Sequence, residues 1–181
     1  MTKKVGLTLA IATVLSANVY AKDWFIGTEV GKAEINGKFS STPLSGSFES
    51  DNEYVGITIG KYITNNIRVS GSIYEYNEDS GVKIEHQEVG MDYLFGNSQF
   101  KPLLGIGVSN LSYKESGLKL SGIGYGLKAG AIYEINDKID FELGYKYMFF
   151  DEKDTIDVGG IPVTYKADDA QAIYFGLSYN F

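Results

Sequence analysis

The sequence predicts an all-β protein, an eight-stranded antiparallel up-and-down transmembrane β-barrel. Eight segments alternate large apolar residues with small or polar ones at a period of two, which is typical of strands with one face against an apolar medium. The connections alternate between short and long, as in a barrel with tight turns at one end and loops at the other. The composition of 22 Gly, 14 Tyr, 10 Phe and only 3 Pro also favours strands.

The alternation defines the strands and their connections. Strands are predicted at residues 24–33, 54–63, 67–74, 86–95, 100–109, 123–133, 139–147 and 170–181. Short turns are predicted at 64–66, 96–99 and 136–138, and long polar loops at 36–52, 77–83, 110–121 and 151–169. The three-residue turns keep odd-numbered residues on the apolar face, as Ile63 and Ile67 show, and the four-residue turn after Phe95 moves that face to even-numbered residues such as Phe100 and Leu104.

The second face of the strands indicates that the apolar face points outwards to lipid. A soluble barrel of lipocalin type, with the apolar face lining a ligand pocket, fits the length equally well. However, the second face carries twelve glycines, which are poor strand residues on a water-facing surface but make room for long side chains inside a narrow barrel. It also carries a nearly balanced set of charges, as a buried polar core requires. These charges form the predicted interior ionic network of Glu29, Arg68, Glu88, Asp92, Lys128, Glu142 and Lys146.

One pair in this network can be predicted individually. Arg68 and Asp92 both point inwards by phase, and a hairpin centred near Ser80 places them opposite each other. We therefore expect an ion pair between strands three and four.

Aromatic residues collect at the turn end of the predicted strands. Amphipathic rings are typical of the headgroup level of a membrane, where they form a girdle around a barrel. The residues are Trp24, Tyr93, Phe95, Phe100, Tyr133, Phe141, Tyr179 and Phe181.

The N-terminus is predicted to be a cleaved secretory signal at residues 1–21, with the barrel domain at 22–181. Lys3 and Lys4 form a basic n-region, a short apolar stretch follows, and Val19 and Ala21 are small residues at the cleavage positions. The signal holds two of the 16 basic residues and none of the 23 acidic ones, so the mature charge is 14 − 23 = −9. This charge argues against nucleic-acid binding. The absence of cysteine excludes disulfides and thiolate chemistry.

Taken together, the signal, the opening WFIGTEVG at 24–31, the glycine-aromatic strands and the aromatic C-terminus resemble the small bacterial outer-membrane β-barrel family, which includes the OmpA transmembrane domain and OmpX. The resemblance implies a location in the bacterial outer membrane, with outer-membrane lipid and lipopolysaccharide as neighbours. It also implies insertion by the outer-membrane barrel assembly machinery, which reads the last strand. Here the matching positions are Tyr174, Gly176, Tyr179 and Phe181. The resemblance does not extend to the peptidoglycan-binding domain of full-length OmpA, so we expect no cell-wall tether.

The residues give little support for catalysis or cofactor binding. His86, the single histidine, is expected on the inner face of strand four, near its extracellular end. This position resembles that of small outer-membrane barrels that modify lipid A, but no serine lies nearby with the spacing of those enzymes. The acidic segment 151–169 lacks the ligand order of a calcium loop, and its capacity for divalent cations stays open. We expect no catalytic residue, cofactor or metal site.

Three functions remain open at this point. The first is a structural or surface-interaction barrel for envelope integrity or adhesion, with little or no conductance and an unidentified ligand for its loops. The second is a narrow porin-like channel, which the small diameter of eight strands disfavours. The third is an outer-leaflet lipid A-modifying enzyme.

Overall fold

The computed structural model describes residues 24–41, 44–77, 82–96, 98–115, 118–158 and 161–181. The predicted signal peptide, at residues 1–21, lies outside the described residues and stays a prediction. Within the described residues, no helix is long and apolar enough to cross a membrane.

Eight antiparallel strands form a closed barrel, which confirms the predicted fold class. Each strand pairs with its neighbours in sequence, and β1 pairs with β8 to close the ring. At this closure the N–H of Phe181 donates to the carbonyl of Trp24 at 2.9 Å. The strands are β1 (Trp24–Ser40), β2 (Ser45–Thr64), β3 (Ile67–Tyr76), β4 (Val82–Leu94), β5 (Phe100–Glu115), β6 (Leu118–Asn136), β7 (Ile139–Val158) and β8 (Ile161–Asn180).

The tight turns lie at the predicted end of the barrel. Side-chain oxygens there accept hydrogen bonds from the backbone N–H groups of the turns. Thr64 Oγ1 accepts from the N–H groups of Asn66 and Ile67. Asn136 Oδ1 does the same for Lys138 and Ile139. Such Asx and Ser/Thr turns fix the hairpins from the local sequence.

Three of the four predicted long loops, 36–52, 110–121 and 151–169, are wrong, because most of their residues continue the strands. The fourth, at 77–83, falls largely between the end of β3 at Tyr76 and the start of β4 at Val82, and residues 78–81 lie outside the described residues. β1 and β2 pair as far as Ser40 opposite Ser45, and β7 and β8 pair as far as Val158 opposite Ile161. β5 and β6 likewise pair up to Glu115 and Leu118. These segments are polar because they lie beyond the apolar band, and backbone pairing does not require apolar side chains.

The predicted face assignment is confirmed by burial. Outward positions form an apolar band around the barrel, and residues 100–108 of β5 show its height. Such a stretch is what a tilted strand needs to cross the hydrocarbon of a membrane, about 9–11 residues. Toward the loop end the band stops sharply, where Val30 gives way to Lys32, Val55 to Glu53, and Ile73 to Glu75.

Glycines on the inner face leave room for aromatic rings from neighbouring strands, as predicted. A Cβ added at Gly56 or Gly60 would collide with the rings of Tyr74 and Phe25, respectively. Similarly, a Cβ at Gly124 would meet the ring of Phe150. The narrow barrel is therefore filled by large residues packed against small ones.

Candidate functional site

The predicted interior charges meet in one layer at mid-height of the barrel. In its lower half, toward the turns, Arg68 donates from Nε to Asp92 at 2.8 Å and from Nη2 to Glu142 at 2.5 Å. Lys128 donates to the same oxygen of Asp92 at 2.6 Å and lies 3.7 Å from Glu142. The predicted Arg68–Asp92 pair is present, and the two residues are paired in the β3–β4 register.

The upper half of the layer is built around Lys146. Its Nζ donates to both carboxylate oxygens of Glu29, at 2.8 and 3.0 Å, and to the hydroxyl of Tyr74 at 2.6 Å. Glu88 lies 3.7 Å from the same nitrogen. All seven residues named from the sequence therefore belong to one ionic layer, and we name it the charged layer.

Tyrosine hydroxyls, which were not predicted as part of the ionic network, complete the charged layer. Tyr54 donates to Glu29 at 2.7 Å, and Tyr174 donates to Glu142 at 2.6 Å. Both tyrosines are inward-facing by phase and lie over inward glycines, Tyr54 over Gly31 and Tyr174 over Gly144. An inward tyrosine paired with a glycine on the neighbouring strand is the sequence pattern that could have identified both tyrosines.

The charged layer joins strands that are not neighbours in the wall. Arg68 of β3 reaches Glu142 of β7, and Lys146 of β7 reaches Glu29 of β1. Arg68, Asp92 and Lys146 are each at most 5% exposed. Removing one partner from such a buried pair is costly, because it leaves an uncompensated charge in the interior.

Apolar layers lie above and below the charged layer. Toward the turns, Leu94, Leu103 and Ile132 form a buried cluster with Tyr62 beside it, and we name it the turn-end layer. Toward the loops lies a larger buried cluster, which we name the loop-end layer. It includes Ile35, Tyr76, Ile84, Leu111, Met148, Phe150, Ala167 and Ala170. The interior was predicted to be polar, and neither apolar layer was predicted, although the alternation places Leu103 on the inner face of its strand.

The cavities that the described residues line at the level of the charged layer are small. One of about 30 Å³ is lined by Glu29, Arg68 and Lys146, and one of about 10 Å³ by Glu88 and Ser109. A water molecule needs roughly 10–15 Å³ measured in this way. The interior between the two apolar layers therefore has room for a few waters and not for a solute.

His86 lies inside β4, as predicted, and is 2% exposed. Its Nδ1 is 2.9 Å from the hydroxyl of Tyr76, and its ring stacks on Tyr74 with centroids 4.8 Å apart. No serine hydroxyl is among the hydrogen-bond partners of the imidazole in the described part of the chain. This environment is that of a packed interior histidine.

A wider cavity of about 670 Å³ opens at the turn end, below the turn-end layer. Charged side chains line it, and Lys101 pairs with Glu134 at 2.6 Å across its wall. Asp140 lies at its inner border and accepts from Asn180 Nδ2 at 2.8 Å. Tyr62, which packs against the turn-end layer, is among its lining residues, and we name this cavity the vestibule.

At the loop end, the strands carry ion pairs on their outer face. Lys32 pairs with Asp51 at 2.7 Å, and Lys38 pairs with Asp168 at 2.6 Å. The hydrogen bond from Lys38, with a second from Lys166, lowers the pKa of Asp168 below its usual value. Asp168 belongs to the segment 151–169 that was expected to be a loop and instead lies mostly in β7 and β8. The contacts of the described residues do not test whether segment 151–169 binds divalent cations.

The four predicted assembly-signal residues all lie in β8 or directly after it. Tyr174 and Gly176 face the interior, whereas Tyr179 and Phe181 stack on each other outside, with centroids 6.5 Å apart. Tyr179 pairs with Ile26 of β1 and with Ile139 of β7. Their recognition by an assembly machinery stays a prediction.

The fold resembles solved outer-membrane barrels. Neisserial surface protein A (NspA) matches with a TM-score of 0.62 at 21% identity, over 87% of this chain and 97% of that one. OprG from Pseudomonas aeruginosa matches with a TM-score of 0.64 at 17% identity, over 88% and 96% of the two chains. The N-terminal β-barrel domain of OprF, from the same organism, has a TM-score of 0.55 at 15% identity, over 86% and 97%.

A comparison with curated protein sequences gives no match. The profile of the outer membrane protein beta-barrel domain, however, matches residues 7–181. This match covers nearly the whole chain and agrees with the closed barrel, its outward apolar band and its charged interior. The chain belongs to the outer membrane protein beta-barrel domain family, and its place is the bacterial outer membrane.

Proposed function

We propose that this protein is a non-conducting outer-membrane barrel with a structural and surface-contact role, rather than a pore or an enzyme. The proposal is supported by the order of three layers along the interior: the turn-end layer, the charged layer and the loop-end layer. A solute entering at the turn end meets Leu94, Leu103 and Ile132, then the ion pairs, then the larger loop-end layer. To cross the interior, a polar solute would have to be buried against the apolar side chains of both apolar layers, which is costly.

The strand extensions support the contact part of the proposal. β1, β2, β7 and β8 continue past the apolar band and pair with one another beyond it. They form a four-stranded sheet that stands above the membrane surface, and we name it the outer sheet. A rigid sheet on a membrane-anchored barrel is suited to contact with other molecules, because little ordering is needed on binding.

The alternatives have weaker support. The cavities at the level of the charged layer favour ordered water over ion conduction. An acyl-transfer or hydrolytic enzyme needs a nucleophile against the histidine and access for lipid. Instead, the imidazole of His86 lies between Tyr74 and Tyr76 in the interior.

A planar-bilayer experiment tests the proposal. Purified protein reconstituted into a bilayer is expected to give no stepwise conductance, while an established porin in the same bilayer gives steps. Regular single-channel steps from the wild-type chain would overturn the non-conducting role. A lipid A deacylation assay, with His86→Gln as the matched variant, would overturn the non-enzymatic role if wild type alone modified the lipid.

A further inference from the structure

Within the described residues, β2 has a free backbone edge in the outer sheet. β3 ends at Tyr76, and the last backbone bond across this border runs from the N–H of Asn77 to the carbonyl of Glu53, at 2.8 Å. Residues 45–52 continue β2 beyond that point and pair with β1. Among the described residues, no strand pairs with their other side.

The direction of the free backbone groups follows from this last bond. Because the carbonyl of Glu53 points toward β3, the alternation along a strand directs the N–H and C=O groups of Asp51, Glu49 and Ser47 to the same side. A free row of this kind is the template to which an additional strand can pair.

The same residues carry negative charge on the outer face. Glu49, Asp51 and Glu53 are exposed, and carboxylate oxygens of Glu34, Glu49 and Asp51 lie within 4.8 Å of one another. Lys32 pairs with Asp51 and supplies a single positive charge to this group. The edge therefore offers an excess of negative charge at every second residue, which is the spacing of side chains on one face of an added strand.

The inner face of the segment holds it as a strand. Phe48 lies over Gly37 of β1, and Phe39 of β1 lies over Gly46. Tyr165 of β8 packs against Phe39, with ring centroids 6.3 Å apart. The edge is thus ordered before a partner arrives, which lowers the entropic cost of adding a strand.

A groove of about 780 Å³ runs below the free edge on the outside of the barrel. Its floor is apolar, with Val30, Val55, Ile173 and Phe175, and Glu53 and Glu75 lie on its upper rim. These four apolar residues belong to the outward apolar band, so the groove marks the level at which the acidic edge rises above the lipid.

We propose that residues 45–53 bind an extended basic segment of another protein as an added β-strand. Lysine or arginine at alternate positions of that segment would face Glu49, Asp51 and Glu53, and its backbone would pair with the free row. A second copy of this chain fits poorly, because joining two β2 edges would place the acidic side chains of both copies against each other. The inference rests on the proposed surface-contact role.

The test uses the full protein in lipid nanodiscs and a fluorescent peptide of alternating lysine and threonine, followed by anisotropy. Ser47→Pro removes one N–H from the free row, and proline is tolerated at a strand edge. We expect Ser47→Pro to weaken binding at least tenfold and the matched control Ser47→Ala to leave it within twofold. Glu49→Gln is expected to weaken binding and to reduce its dependence on salt.

A second peptide keeps the test decisive if Ser47→Pro does not fold. N-methylation of alternate backbone nitrogens preserves the lysines and removes the donors needed for strand pairing. Equal binding of the methylated and unmethylated peptides would overturn the proposal, since it would show charge attraction without an added strand. Absence of peptide binding by a protein that is silent in a bilayer would reject the inference alone, whereas channel steps would reject the non-conducting role independently.

Discussion

Lys146 donates hydrogen bonds to both carboxylate oxygens of Glu29, at 2.8 and 3.0 Å, although their strands, β7 and β1, are not neighbours in the wall. The pair crosses the interior behind β8 and fixes the distance between two separate parts of the wall. Its formation requires a closed barrel, and it therefore reports on closure.

The variant Lys146→Met is expected to lower the free energy of unfolding by about 3–5 kcal/mol, because Glu29 keeps a buried charge without its partner. Urea unfolding in lipid, followed by the fluorescence of Trp24, measures the change. The double variant Glu29→Gln with Lys146→Met removes both charges and should recover most of the loss. Lys32→Met, which breaks an exposed pair, should leave the free energy of unfolding almost unchanged. Equal effects of the two lysine variants would contradict the buried role of Lys146.

The outward apolar band should not tolerate charge. Leu143 lies on the outer face at mid-strand, where an arginine facing lipid costs about 2–4 kcal/mol. Leu143→Arg should therefore unfold at lower urea concentration in lipid vesicles. Leu44 lies between β1 and β2 beyond the band and is 63% exposed, so Leu44→Arg is the control and should match wild type. An unaffected Leu143→Arg would mean that this face does not meet lipid.

Two glycines are expected to respond oppositely to alanine. A Cβ at Gly144 would collide with the ring of Tyr174, which is buried and bonded to Glu142. Gly144→Ala should therefore cost about 1–3 kcal/mol by overpacking. At Gly71 the nearest atom to an added Cβ is 4.0 Å away, so Gly71→Ala should be neutral or stabilising. The same urea titration compares the two variants, and a tolerated Gly144→Ala would show that the ring can move aside.

Removing the turn-end layer alone should not create a pore. The triple variant Leu94→Ala, Leu103→Ala and Ile132→Ala opens the vestibule to the charged layer but leaves the loop-end layer in place. We expect lower stability from the cavity, about 2–5 kcal/mol for each large-to-small change, and a bilayer trace without steps. Conductance in this variant would show that the loop-end layer does not close the interior.

The last strand should be required for assembly. Deleting residues 179–181 removes the pairing of Tyr179 with β1 and β7. It also removes the backbone hydrogen bonds between Phe181 and Trp24. An open edge in hydrocarbon costs several kcal/mol for each unsatisfied group. The truncated chain should accumulate in the periplasm or be degraded, as cell fractionation would show. Normal amounts in the outer membrane would refute both the closure requirement and the assembly-signal prediction.

The face assignment and the pairing of Arg68 with Asp92 were predictable because a barrel with tight turns follows the period-two pattern along the chain. Counting residues outwards from the centre of the β3–β4 hairpin is enough to place these two residues opposite each other. The contact between Lys146 and Glu29 was not predictable in this way, since it depends on the tilt of the strands and on which side chains reach across the interior.

The strand ends were mispredicted for a different physical reason. Residues 36–52 are rich in Ser, Gly, Asn and acidic side chains, a composition that usually indicates a loop. Beyond the apolar band, however, the outer face of a strand meets water instead of lipid, so the apolar alternation that identified the strands is lost there while the backbone ladder continues. The apolar layers were missed because isolated inward residues such as Leu94 and Leu103 form a layer only once the barrel brings their strands together.

The unequal strand lengths give the barrel seams of unequal strength. Among the described residues, the seam between β1 and β8 contains 16 residue pairs and that between β7 and β8 contains 18, whereas the β3–β4 seam contains nine. The border that closes the ring is therefore among the most extensively bonded, although it joins the two ends of the chain. Under mechanical load or local melting, the wall should part between β3 and β4, and amide hydrogen exchange should begin in that hairpin well before it reaches the closing seam.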